Sequence, residues 1–244
     1  METISLNDLL SMPDGKAWMA DLVQKSSIVR VKNAIEPQFL HLCTEYCSSV
    51  TAHSLPNYFP LEEGAPNFYR VNFEDPRAYV KAFMHQVNFF EWNQDRLSLF
   101  RELGFLFDIR ELSSHDPIDY SGTIKRISFQ FYPAGRGYMN KHRDPIGKHQ
   151  AGVLSVVLSK RSQDYETGGF FLENESGTRI FPEDQCNVGD LLIFNGQQTH
   201  GVELIDNFAP YEPLANMGRW MALVAVTKNT DNSEIPDAQD LGGI

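Results

Sequence analysis

The sequence predicts an α+β chain, mainly β, with helices ahead of the β core. Before residue 123, apolar residues recur mostly at spacings of three and four, as on a helix with one buried face. From Thr123 the repeat shortens to two. Ile124, Arg126, Ser128, Gln130 and Tyr132 fall on one side of an extended chain, and Ile127, Phe129 and Phe131 fall on the other. Short β-branched and aromatic runs separated by turn residues then follow, the signature of an all-β core.

In residues 1–25, Leu6, Leu9, Leu10, Trp18 and Leu22 predict one or two short helices broken at Pro13-Asp14-Gly15. Residues 27–31 are β-branched and predict a short strand. Glu36-Pro37 opens a helix, because proline in the first turn sacrifices no hydrogen bond. Its buried face is Phe39, Leu40, Cys43, Tyr46, Cys47 and Val50. Residues 53–76 are rich in proline, asparagine and aromatics, and read as loop with a strand at 68–71. Asp75-Pro76 then predicts a further helix with the stripe Tyr79, Phe83, Val87, Phe90 and Leu97. Residues 103–109 fit either element, and 113–122 form a polar connector. Strands are expected at 124–132, 152–158, 169–172, 178–181, 191–194, 201–205 and 219–226. The connector 207–218 is long, and long loops beside sites are often functional. From residue 229 the chain is polar and is expected to be poorly ordered.

Composition bounds the function. The net charge of −11 argues against non-specific binding to nucleic acid or an anionic membrane. A small anionic substrate stays compatible, because a local arginine cluster overrides the global field. The three cysteines, Cys43, Cys47 and Cys186, form no disulfide framework and read as buried free thiols. Met1-Glu2-Thr3-Ile4-Ser5 lacks the basic and apolar regions of a signal peptide, and no run is apolar enough to span a membrane. A reducing cytoplasm is expected. The sequence sets no oligomeric state.

The stretch from Tyr132 to Arg219 carries the chemistry. On a strand, residues i and i+2 share a face, so His142 and Asp144 offer an imidazole and a carboxylate to one point. His200 follows the apolar run 191–194 and supplies a second imidazole from a distant strand. Two histidines and a carboxylate with open positions opposite form the facial triad of non-haem Fe(II) oxygenases. His142-Arg143-Asp144 also matches the protein-kinase catalytic loop, but that loop needs an asparagine where His149 stands. The glycine-rich loop and Asp-Phe-Gly of kinases are absent as well.

These residues resemble the iron(II)- and 2-oxoglutarate-dependent dioxygenases, most closely their prolyl-hydroxylase-like branch. The shared order is His142-x-Asp144, Gly168-Gly169, Gly189-Asp190, His200 and Arg219. Phe129-Gln130-Phe131-Tyr132-Pro133 and Gly137-Tyr138 lead into it, so the resemblance covers roughly residues 124–228. It implies a double-stranded β-helix, or jelly roll, with the preceding helices packed on one sheet. It also implies a single dioxygenase domain over 1–244. Residues 1–122 would be a supporting region, 123–228 the core and 229–244 a tail.

By the same resemblance, His142, Asp144 and His200 hold Fe(II), while 2-oxoglutarate and O₂ take the open positions. Decarboxylation of 2-oxoglutarate to succinate and CO₂ is then coupled to oxidation of a C–H bond. Arg219 is expected on the distal carboxylate of 2-oxoglutarate, where a planar guanidinium suits a diacid. Tyr132 is expected to place its phenol on the cosubstrate, and Ser155 to offer a hydroxyl to the same carboxylate. Asp144 favours oxygenation, since halogenating relatives lack this carboxylate. Arg70, Arg136, Asn140 and Arg143 are candidate substrate contacts at the barrel mouth. The expected substrate is a small molecule, an amino acid or natural-product intermediate. Alternatives are a protein prolyl hydroxylase, a desaturating or ring-closing oxidase, and a non-catalytic metal-binding cupin-like module.

Overall fold

The computed structural model describes residues 1–54, 58–145, 147, 149–230 and 232–243. The N-terminal part runs β1 (Glu2–Ser5), α1 (Leu6–Ser11), α2 (Gly15–Gln24), β2 (Val29–Lys32) and α3 (Pro37–His53). Next come β3 (Phe68–Phe73), β4 (Ala82–Phe90), α4 (Leu99–Leu103) and α5 (Phe105–Glu111). The remainder is extended: β5 (Thr123–Pro133), β6 (Tyr138–Arg143), β7 (Val153–Val157), β8 (Gly169–Glu173) and β9 (Arg179–Ile180). A 3-10 turn at Pro182–Gln185 leads to β10 (Leu191–Phe194), β11 (Thr199–Glu203), β12 (Gly218–Lys228) and β13 (Gln239–Asp240).

The strands form a jelly roll. Its larger layer runs β1-β2-β10-β7-β12-β5-β4, with β3 beside β4. At Ala82 and Phe83 the sheet turns over onto β6, and β6-β11-β8-β9 make the smaller layer. The two layers meet face to face: the Phe194 ring of β10 lies 5.1 Å from His200 of β11 and 5.1 Å from Phe170 of β8.

Alternation along the strands separates two environments. Val87 and Phe89 of β4, Ile127, Phe129 and Phe131 of β5, Trp220, Ala222 and Val224 of β12, and Leu154 and Val156 of β7 share one face. This face packs with Leu40, Cys43, Leu103, Leu106 and Ile109 of the helices into the main apolar core. The opposite face carries Arg126, Ser128, Gln130 and Tyr132 of β5 and Arg219, Met221 and Leu223 of β12. That face lines a cavity.

Two regions differ from the sequence expectation, and one that was open is settled. The helix expected from Asp75-Pro76 is the strand β4. Tyr79, Phe83 and Val87 are four apart, a spacing that fits both a helix and an alternating strand. The arbiter is burial of the run from Ala82 to Phe90 on both faces, all but the half-buried His85 being inside. Residues 103–109 lie across the end of α4 and the start of α5. The tail is also built into the fold: β13 pairs Gln239 with Arg143 and Asp240 with His142. Asp231 and Ile244 of that tail lie outside the described residues. Among the described residues no helix is long and apolar enough to cross a membrane.

One buried polar knot ties β2 to the start of β10. The fully buried Asp190 accepts hydrogen bonds from Arg30 Nε at 2.8 Å, Asn33 N at 2.9 Å and Asn187 N at 2.8 Å. Arg30 Nη2 lies 2.6 Å from the same carboxylate. Removing one member of a buried ion pair costs roughly 3–5 kcal/mol, because the other charge is left unpaired. Asp190→Ala is therefore expected to lower the unfolding free energy by about 3 kcal/mol, the low end because Arg30 retains some solvent. Denaturant titration checks this, and a change under about 0.5 kcal/mol, ordinary for a surface substitution, would contradict it.

Candidate active site

β6 and β11 run antiparallel with His142 opposite His200, so the two imidazoles stand side by side, ring centroids 4.1 Å apart. Asp144 follows the end of β6. Its N–H donates to Gly196 O at 2.9 Å, and the Gln197 side-chain amide donates to its carbonyl. Gly196 leaves room for the carboxylate as placed: a Cβ there would sit 2.8 Å from Asp144 Oδ2 and 3.0 Å from its Cβ.

Both histidines are held in one tautomer. His142 Nδ1 lies 2.9 Å from Asn140 O and His200 Nδ1 lies 2.8 Å from Gln198 O. A carbonyl only accepts, so each Nδ1 carries the proton and each Nε2 presents a lone pair. Those lone pairs converge with the carboxylate. His142 Nε2 is 3.9 Å from Asp144 Oδ1, and His200 Nε2 is 3.8 Å from Asp144 Oδ2. The three ligand atoms lie within 4.8 Å of one another. Burial, and next the neighbouring His200, push the His142 imidazole down to about 4, so it is neutral at neutral pH and free to ligate.

The triad opens into a cavity of about 230 Å³ also lined by Tyr132, Ser155, Arg219 and Arg70. Arg219, fully buried, stands directly across from Tyr132. Its Nε donates to Glu183 Oε2 at 2.7 Å and its Nη2 to Glu183 Oε1 at 2.5 Å. Burial pulls this guanidinium down, but the Glu183 carboxylate more than offsets that and holds it above its ordinary value. Nη1 makes no hydrogen bond, nor does Ser155 Oγ, although both are buried. The Tyr132 hydroxyl donates to Gln130 Oε1 at 2.9 Å. Gly218, at φ 142°, lets β12 begin against β5; a Cβ there would meet Tyr132 O at 2.3 Å.

The other three candidate contacts lie outside this cavity. Arg136 stacks between Phe83 and Phe73, at 4.3 and 4.4 Å from their ring centroids. Arg143 is exposed and donates to Thr199 Oγ1 at 3.3 Å. The Asn140 side chain binds the Asp240 carboxylate, while its backbone carbonyl orients His142. Sequence reasoning missed Glu183, Gln86 and Arg126. Alternation had put Arg126 on the Tyr132 side of β5, which was the signal available.

No family model matches the chain, and no curated protein sequence does. Solved structures do match in fold. A Pseudomonas putida prolyl-4-hydroxylase is 12% identical with TM-score 0.55, over 87% of this chain and 98% of that one. A Trichoplax adhaerens prolyl hydroxylase, in complex with a hypoxia inducible factor peptide fragment, is 11% identical with TM-score 0.54, over 88% and 89% of the two chains. The epimerase SnoN, in complex with Fe3+, alpha ketoglutarate and nogalamycin RO, is 10% identical with TM-score 0.54, over 95% and 97%. The resemblance read in the sequence thus holds at the level of fold: the chain has the jelly-roll fold of the 2-oxoglutarate oxygenases, of the prolyl-hydroxylase-like type.

Proposed function

We propose that the protein is an Fe(II)/2-oxoglutarate-dependent oxygenase that hydroxylates a C–H bond of a small molecule, an amino acid or natural-product intermediate. The observation that carries this reading is the convergence of two tautomer-locked Nε2 atoms and one carboxylate within 4.8 Å. Such a donor set fits iron and leaves one side of it open. Two buried groups without partners, Arg219 Nη1 and Ser155 Oγ, line the same cavity and fit the distal carboxylate of 2-oxoglutarate. When bound, iron and 2-oxoglutarate supply the oxidising power from O₂, with succinate and CO₂ as coproducts.

The chain's own residues ligate, orient and exclude water. Asn140 and Gln198 carbonyls keep the imidazoles turned toward the ligation point. Glu183 occupies two of the three guanidinium nitrogens of Arg219, so the pair selects a carboxylate by directed hydrogen bonding more than by net charge. Phe170, Phe194, Met221 and Leu223 dry the space around the triad. A cavity of about 230 Å³, at the small side of ligand pockets, favours a small molecule over a protein segment. Three buried free thiols suit a reducing cytoplasm.

Alanine at His142, Asp144 or His200 is expected to abolish both Fe(II) binding under anaerobic titration and 2-oxoglutarate turnover to succinate. Near-wild-type turnover by all three variants overturns the assignment. For Arg219, a single truncation would strand the buried Glu183, so the informative protein is Arg219→Gln with Glu183→Gln. Loss of a charge-assisted hydrogen bond, roughly 1.5–3 kcal/mol, predicts about a 10- to 150-fold weaker 2-oxoglutarate affinity. Unchanged affinity would move that role to another residue. Asp144 fills the position a halide would need, so product mass with and without chloride should show one added oxygen; a chlorinated product would refute this.

A further inference from the structure

Four described arginines are buried: Arg70, Arg110, Arg126 and Arg219. Of these four, only Arg219 has a carboxylate of the described residues within ion-pairing distance. Arg126 donates from Nη1 to Asn88 Oδ1 at 2.9 Å and from Nε to Thr227 Oγ1 at 3.1 Å. Arg70 donates from Nε to Gln86 Oε1 at 2.5 Å and from Nη1 to Phe59 O at 3.1 Å, with its guanidinium 5.1 Å from the Tyr58 ring centroid. All four acceptors are neutral. They fix the direction of both guanidiniums without cancelling either charge. Burial, and next the charge of Arg70, push Arg126 down to about 9, which leaves it protonated at neutral pH. Two mutually repelling buried cations, neither in an ion pair among the described residues, form a costly arrangement.

Both arginines line the cavity that holds the triad. Arg70, level with Gln86 and Gln130, stands on β3, three strands across the sheet from Arg219 on β12. Arg126 precedes Tyr132 by six residues on β5, roughly 20 Å of strand at about 3.3 Å per residue. A five-carbon diacid anchored beside Tyr132 and Arg219 does not extend that far. Arg110, whose Nη1 makes no hydrogen bond, lines an adjoining cavity together with Arg126 and adds positive charge there.

We propose that Arg126 and Arg70 bind an oxyanion, a carboxylate or a phosphate, on the primary substrate, so that the substrate is an anionic small molecule. Its apolar body lies along Val153 and Leu223 and carries the reacting carbon toward His142, Asp144 and His200. Assigning the anion to the primary substrate rests on the oxygenase reading; the anion site itself is measurable without iron.

The test is calorimetric titration of metal-free protein with hexanoate against hexanamide, and with hexyl phosphate against hexanol. Wild type is expected to prefer one anion over its neutral partner by about 10-fold or more, about 1.4 kcal/mol. The preferred pair identifies the oxyanion as carboxylate or phosphate. Arg126→Gln with Arg70→Gln should erase the preference, whereas Arg219→Gln with Glu183→Gln should keep it. Equal binding of anions and neutral partners overturns the proposal, as does a preference that survives loss of Arg126 and Arg70. A preference that vanishes with Arg219 places the anion at the cosubstrate end and also overturns it. Metal-free Arg126→Gln should unfold at a temperature no lower than wild type. A lower temperature with anion binding intact makes Arg126 structural and sinks the idea. Fe(II) and 2-oxoglutarate binding on the same proteins separates the two readings: if both bind wild type and no anion preference exists, the anion site alone fails.

Discussion

The site hangs from the pairing of β5 with β12. Eleven residues of each strand match antiparallel, from Thr123 opposite Lys228 to Pro133 opposite Gly218. That single register sends Ile127, Phe129, Phe131, Trp220, Ala222 and Val224 to the helices and Arg126, Gln130, Tyr132 and Arg219 to the cavity. A slip of one residue would exchange the two sets and drive guanidiniums into the apolar core. The hydrophobic burial that stabilises the larger sheet therefore also fixes where the polar groups of the site stand.

Charge inside the cavity is arranged unevenly. At one end Glu183 neutralises Arg219 and leaves one nitrogen to donate. Away from it, Arg126 and Arg70 are held by amides, a hydroxyl and a carbonyl, with no ion pair to either among the described residues. The triad lies in the same cavity, its carboxylate contributing positively to the protonated state of Arg126. A chain with net charge −11 thus encloses a cationic interior, and an anion that enters exchanges a repelling exterior for fixed donors.

Much of this was legible in the sequence because it depends on local spacing. His142 and Asp144 are two apart, and the shift from helical to alternating repeat at Thr123 marks β5 at its first residue. Gly189-Asp190 preceded a strand as expected, although the role of Asp190 as a tie to β2 depends on Arg30, far away in sequence. The misread segment was β4, where Pro76 and four-residue spacing imitate a helix start and stripe. Glu183 gave no local signal, since it sits in a 3-10 turn and its partner lies 36 positions away on β12. Arg126 was visible as a strand residue facing the Tyr132 side; that it lacks a counter-ion is a property of the assembled sheets alone.

The position of β10 between β2 and β7 bears on how the chain reaches this structure. Arg30 and Asp190, which join β2 to β10, are 160 residues apart. Closing so large a loop costs entropy before any of the contacts that offset it can form. Topologies dominated by such distant pairings fold slowly. Until β10 docks, β2 and β7 each present an open edge of unpaired N–H and C=O groups, and newly made chains are most exposed to association with one another in that interval.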